Sequence, residues 1–263
     1  MKHEHYAPNS ATHLSKALEA DVRYDGRKKD EFRPIEIEYG VSNTADGSAK
    51  IKCGETEIIC AASLSIGKPF PDRPDEGALM VSAEYLPIAH NDIESGPPRI
   101  DAIETSRVID RSIRESGSFD VKSLCIEEGE KVWIVSVDVI PINHDGNIID
   151  IGAIGAMAAI KNAKFPGLTE DKKADYKNKT DKNLDLVHTP ISVTVCRIGN
   201  QLFIDPRRVE EENIEARLTI AVMEDGRICS LQKGGDMSFT HEEVNTAIDM
   251  AVKASKDLRK VLE

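Results

Sequence analysis

Residues 131–163 constrain the fold more than any other part of the chain. Val132, Ile134, Val135, Val137, Val139 and Ile140 crowd into residues 131–142. Such a density of β-branched side chains suits a strand buried on most of both faces. The turn cluster Asn143-His144-Asp145-Gly146-Asn147 ends it. Residues 148–163 then read as a helix whose Ala153, Gly155, Ala156, Ala158 and Ala159 permit close packing. A strand that shuns solvent on both faces needs other layers around it.

The flanking sequence supplies them. Ile35 and Ile37 alternate with charged residues, the period-2 pattern of a half-buried strand. Residues 48–53 and 57–66 are rich in Ile and small side chains; Asp46-Gly47 precedes the first run and Cys53-Gly54-Glu55 separates the two, so they form a hairpin or meander. Residues 78–86 make a further strand closed by Pro87. After the break at Ser95-Gly96-Pro97-Pro98, residues 100–116 read as a helix with Ala102, Ile109 and Ile113 on one side. The order recurs in shorter form near the end: strands over 191–198, 201–204, 218–223 and 227–231, then a helix opened by the capping box of Thr240 and Glu243. The expected fold is α+β, two halves with helices laid on mixed sheets. Residues 1–22 read as a loosely attached arm with a modest helical pattern through Leu14, Ala17 and Leu18. Residues 23–165 form the first domain and 190–263 the second. Between them, residues 166–189 carry five lysines and five acids with hardly an apolar residue, a solvated connector or mobile loop at the domain boundary.

Composition narrows the function. Thirty-four basic residues against 46 acidic ones leave a net charge of −12 over 263 residues. Any nucleic-acid contact must then be local or shared with a partner. No run of 18 apolar residues offers a membrane span, and the start of the chain leads into no signal-peptide core, so a cytoplasmic protein is expected. The five cysteines include no Cys-x-x-Cys pair and read as reduced thiols packed as small hydrophobes. His-x-x-x-His spacing is absent, as are the common glycine-rich phosphate loops and Gly-x-Ser-x-Gly. No metal site and no cofactor is expected, and no Cys/His pair announces itself. Glu210-Glu211-Glu212 reads as solvated surface, because consecutive side chains diverge.

Arg107, Arg111 and Arg114 stand at i, i+4 and i+7 of the expected helix, sharing a face opposite its apolar stripe. Guanidinium groups so spaced can grip successive phosphates. They can equally form a solvated face neutralised by Glu104, Asp110 and Glu115. The residues alone leave both readings open.

Arg23-Tyr24-Asp25-Gly26-Arg27, Asp46-Gly47-Ser48-Ala49 and the meander through Cys60 resemble the opening of RNase PH-type phosphorolytic exoribonucleases. The likeness narrows along Glu84-Tyr85-Leu86-Pro87-Ile88-Ala89 and Gly96-Pro97-Pro98. It becomes close over residues 102–115, which are similar to the arginine helix of the non-catalytic ring subunit type of the archaeal exosome. Two departures from active members stand out. Gly146-Asn147-Ile148-Ile149-Asp150 lacks the arginine or hydroxyl of their phosphate loop, and Ile214-Glu215-Ala216-Arg217 puts a cation where they place an essential aspartate. A guanidinium can neither bind a divalent cation nor accept a proton. The resemblance therefore implies an RNase PH-like fold and a subunit without catalysis of its own. It further implies three heterodimers with a catalytic RNase PH-like partner, S1-domain cap proteins on one face, and single-stranded RNA degraded 3′ to 5′ by phosphorolysis. Arg107, Arg111 and Arg114 would contact the RNA backbone. The alternatives are a pure scaffold, or an autonomous enzyme in which acids such as Asp145, Asp150 or Asp205 converge on one pocket.

Overall fold

The structure, a computed structural model, describes residues 9–263. In chain order come α1 (Asn9–Glu19), β1 (Ile35–Tyr39), β2 (Gly47–Cys53), β3 (Thr56–Gly67), β4 (Ala78–Ala83), α2 (Ile100–Glu115), β5 (Cys125–Glu127), β6 (Lys131–Asn143) and α3 (Ile148–Asn162). There follow β7 (Lys164–Leu168), β8 (Ala174–Asn183), β9 (Ile191–Ile198), β10 (Gln201–Ile204), α4 (Arg208–Glu211), β11 (Ala216–Val222), β12 (Ile228–Gly235) and α5 (His241–Arg259). The α+β reading of the sequence holds.

The first sheet runs β1-β2-β3-β6-β4, with β5 also pairing β6. Only β4 lies parallel to its neighbour. The β-branched run is thus a central strand, with β3 on one side and β4 on the other. The second sheet, β10-β9-β11-β12, is antiparallel throughout. Helix α3 packs on β2, β3 and β6 of the first sheet and on β9 of the second, so a single core spans both halves. Its small residues make this possible: a side chain at Gly155 would meet Cys60 Sγ at 2.5 Å and Ile51 Cδ1 at 2.7 Å. Helix α5 packs on β9 and β11 and starts with the expected capping box, Thr240 Oγ1 accepting from Glu243 N at 3.2 Å.

Two expectations need correction. The segment read as a loose arm contains α1, and Leu14 and Leu18 are buried, with Leu18 packed among Cys196, Ile198 and Phe203. A short apolar pair suffices because the second sheet presents an apolar edge to receive it. Residues 1–8 of that arm, with His3 and His5, lie outside the described residues. The charged connector is no loop either. β7 and β8 pair as an antiparallel ribbon whose second strand is almost wholly exposed. Neither face of β8 is buried, so its side chains carry no alternation, while the backbone pairs all the same.

Candidate functional site

Helix α2 borders two concavities of opposite character. Its inner face buries Ala102, Thr105, Val108, Ile109, Ser112 and Ile113. Asp101 in its first turn and Arg114 in its last turn both favour the helix dipole. Its outer face carries Glu104, Arg107, Arg111 and Arg114.

The three arginines, all exposed, line one shallow groove of about 290 Å³ with Val81, Asp110 and Glu115. The structure thus brings the expected residues together but does not leave them equal. Arg114 is held by Asp110 at 2.7 Å and donates to the Leu79 carbonyl at 3.0 Å. That bond to Asp110 raises the guanidinium pKa. Arg111 Nη1 donates to Gln232 Oε1, a neutral partner, at 2.8 Å. Arg107 has no hydrogen-bond or ion-pair partner among the described residues. The scaffold alternative demanded a carboxylate at each guanidinium; only Arg114 has one.

The second concavity is a cleft of about 510 Å³ between the halves. Its lining holds seven carboxylates against three guanidiniums, Arg99, Arg208 and Arg217, so its field disfavours a polyanion. Each of the three cations is already engaged: Arg99 by Glu94, Arg208 by Glu212 at 3.0 Å, Arg217 by Glu104 at 2.6 Å. Burial, then Arg208, pushes the His144 imidazole down to about 3, so it stays neutral. Its Nδ1 accepts from Gly146 N at 3.1 Å.

At the N-terminal end of α3 the backbone could receive an anion, since exposed N–H groups and the helix dipole converge there. Here Glu211 fills that role: its Oε1 accepts from Asn147 N at 3.1 Å. The neighbouring Glu210 is buried and bonds Arg23 Nε at 2.9 Å. The glutamate triple is therefore not solvated surface. Short helix α4 turns two of the three inward, a placement invisible in the spacing.

Asp145, Asp150 and Asp205 line neither concavity. Asp205 accepts from Arg33 Nη2 at 2.8 Å, Arg27 Nη1 at 2.6 Å and Asn147 Nδ2 at 2.8 Å. Burial works to raise its pKa, but the Arg33 bonds and both charges outweigh this and hold it low. Asp145 pairs with Arg207 at 2.9 Å. Asp150 accepts from the Thr194 N–H at 2.8 Å and hydroxyl at 2.7 Å. These acids fasten the first half to the second. Arg23 and Arg27 were legible only as parts of an opening motif, and Arg33 not at all, since the partners that each meets in the second half lie 172 to 187 positions away. No group of three or more His, Cys, Asp or Glu side chains among the described residues is placed to hold a metal.

Residues 31–166 match the family model of the 3′ exoribonuclease family (RNase PH), domain 1, and residues 188–254 match domain 2. The chain belongs to the RNase PH family. It is 41% identical to the "Exosome complex component Rrp42" of Methanopyrus kandleri, over 94% of this chain and 93% of that one. Identity to the protein of the same description from Methanocella arvoryzae is 43%, over 92% and 90% of the two chains. Among solved structures, a chain of the "archaeoglobus fulgidus exosome with RNA bound to the active site" superposes with a TM-score of 0.90 at 37% identity, covering 97% of this chain and 98% of that one. This RNase PH-family chain has no described helix long and apolar enough to cross a membrane.

Proposed function

We propose that this chain is a non-catalytic subunit of an exosome core, which steadies single-stranded RNA while a neighbouring RNase PH-like chain cleaves it by phosphorolysis. Three such heterodimers would alternate in a ring in the cytoplasm, capped by S1-domain proteins. The similarity to exosome components over nine-tenths of the chain supports membership of the ring. One observation carries the division of labour: at the anion-receiving end of α3 the Asn147 N–H already bonds Glu211, while the Arg107 side chain on the outer groove has no partner among the described residues. Phosphate entering the cleft would meet a carboxylate in its place, whereas a phosphodiester at the groove meets a cation free to bind it. Backbone contacts of this kind position a strand without reading its sequence, as general degradation requires.

The test is reconstitution with a catalytic RNase PH-type partner. This chain by itself should release no nucleoside diphosphates from RNA and phosphate. In the assembled ring, the Arg107→Ala, Arg111→Ala double variant should flatten the log–log salt dependence of RNA affinity by about 1.4, at about 0.7 per lost contact. Turnover by the isolated chain, or an unchanged slope, would overturn the reading.

A further inference from the structure

The charged stripe on α2 begins with an acid. Glu104 precedes Arg107 by three residues on the same face, and its Oε2 lies 2.6 Å from Arg217 Nη2 on β11 of the second half. Seven residues further on, Arg111 reaches Gln232 on β12. Arg107 therefore stands between two points at which α2 is tied to the second sheet. Near its start the inner face of the helix is held by the burial of Ala102 and Thr105, whose hydroxyl meets that of Tyr85 at 2.8 Å. On the outer face, however, the Arg99 side chain makes no cap and bonds only the exposed Glu94.

The Arg217 guanidinium is also seated. Gly234 faces Arg217 across the β11–β12 ladder, and a Cβ there would lie 2.8 Å from Arg217 Cζ and 2.9 Å from Nε. Gly234 is not among the glycines with left-handed backbone, so what it supplies is space for that side chain. Both members of the pair are about 70% shielded from solvent, with exposures of 28% and 29%. Partial shielding strengthens a charge pair relative to one in open water.

We propose that Glu104 and Arg217 are positioning residues: their ion pair fixes the first half of α2 against the second sheet and so holds Arg107 at the pitch that meets an RNA phosphate. The pair itself touches no RNA. This rests on the RNA-positioning reading above and adds the device that makes it work.

Charge alone predicts the opposite sign, which makes the proposal testable. Removing an anion beside the groove, and freeing Arg217, should tighten RNA binding if Coulomb attraction or a direct Arg217 contact were what mattered. Positioning predicts weakening. In the reconstituted ring, with assembly checked by native mass, Glu104→Ala should weaken affinity for a single-stranded RNA about two- to tenfold. Alanine keeps the helix favourable at that site. Gly234→Ala, which displaces the guanidinium while leaving every charge in place, should do the same. The swap Glu104→Arg, Arg217→Glu should restore binding to within about twofold of the parent ring. Added to Arg107→Ala, Glu104→Ala should have no further effect, since its action runs through Arg107. Tighter or unchanged binding in Glu104→Ala and Gly234→Ala, with Arg107→Ala still weakening it, would overturn the positioning role alone. If Arg107→Ala also left binding unchanged, the RNA-positioning reading itself would fall. Should Glu104→Ala not assemble, Gly234→Ala and the swap decide the outcome by the same criteria.

Discussion

The cleft between the halves and the groove on α2 share a helix and differ in every property that matters. The cleft is the larger, but each of its guanidiniums has a carboxylate and Glu211 already bonds the Asn147 N–H at its helix terminus. The groove is shallow and holds an arginine with no internal partner among the described residues. A cavity whose cations are all paired has little left to offer a polyanion, because binding would first have to break pairs already made. Unspent charge, not volume, marks the surface that can bind a polyanion.

If cleft-side charges are structural and groove charges functional, mutations should sort accordingly. The largest effect is expected from Asp205→Ala, which takes from the buried Arg33 its 2.8 Å carboxylate partner, leaving it Asp145 at 3.5 Å, and from Arg27 the partner that ties it to the second half. Breaking a buried pair this way costs about 3–5 kcal/mol, to be read from denaturant unfolding. Arg107→Ala should change the same measurement by less than about 0.5 kcal/mol. Equal losses would erase the distinction.

Asp150 sharpens the comparison through pH. It is fully buried, and burial pushes its carboxyl up to about 7, against the Thr194 hydrogen bonds. A folded-state pKa above the unfolded 3.8 means a contribution fully present below about pH 4 and lost as the pH rises through about 7. Asp150→Asn should remove this dependence, being more stable than the parent above pH 7 and matching it near pH 4. The difference should be on the order of a few kcal/mol in unfolding titrations at the two pH values. A flat difference between the two proteins would show that the carboxylate is not desolvated as its placement implies.

The smallest effect separates residues within the groove. Arg107→Ala should lower RNA affinity in the reconstituted ring more than Arg114→Ala does, because Arg114 is already bonded to Asp110 and the Leu79 carbonyl. Filter-binding at fixed salt decides it; an equal loss from both would mean that Arg114 exchanges partners freely.

Much of this was legible from periodicity. The strand through Val139, the small-residue helix α3 and the capped α5 each announce themselves, because their patterns are local: the first two are deeply buried, and α5 buries a stripe through Ala247, Ala251 and Leu258 behind its capping box. The placement of Arg107, Arg111 and Arg114 on one helical face was equally plain from spacing. What spacing could not reveal was their inequality. Asp110 lies within reach of Arg114 along the helix, but Gln232 arrives from a strand 121 positions away. Nor could composition show that β8 is a strand, or that the glutamates of α4 turn inward, since both depend on what the chain meets after folding.

The amino-acid order by itself determined which segments are strands and helices in the core and which face of α2 is cationic, because backbone geometry and the aversion of apolar side chains to water act over a few residues. Tertiary structure alone decided which charges are spent and which are free. Hydrogen bonds and ion pairs act over a few ångströms in space, and only folding brings Glu104 to Arg217, Glu211 to the Asn147 N–H, and nothing of this chain's described residues to Arg107.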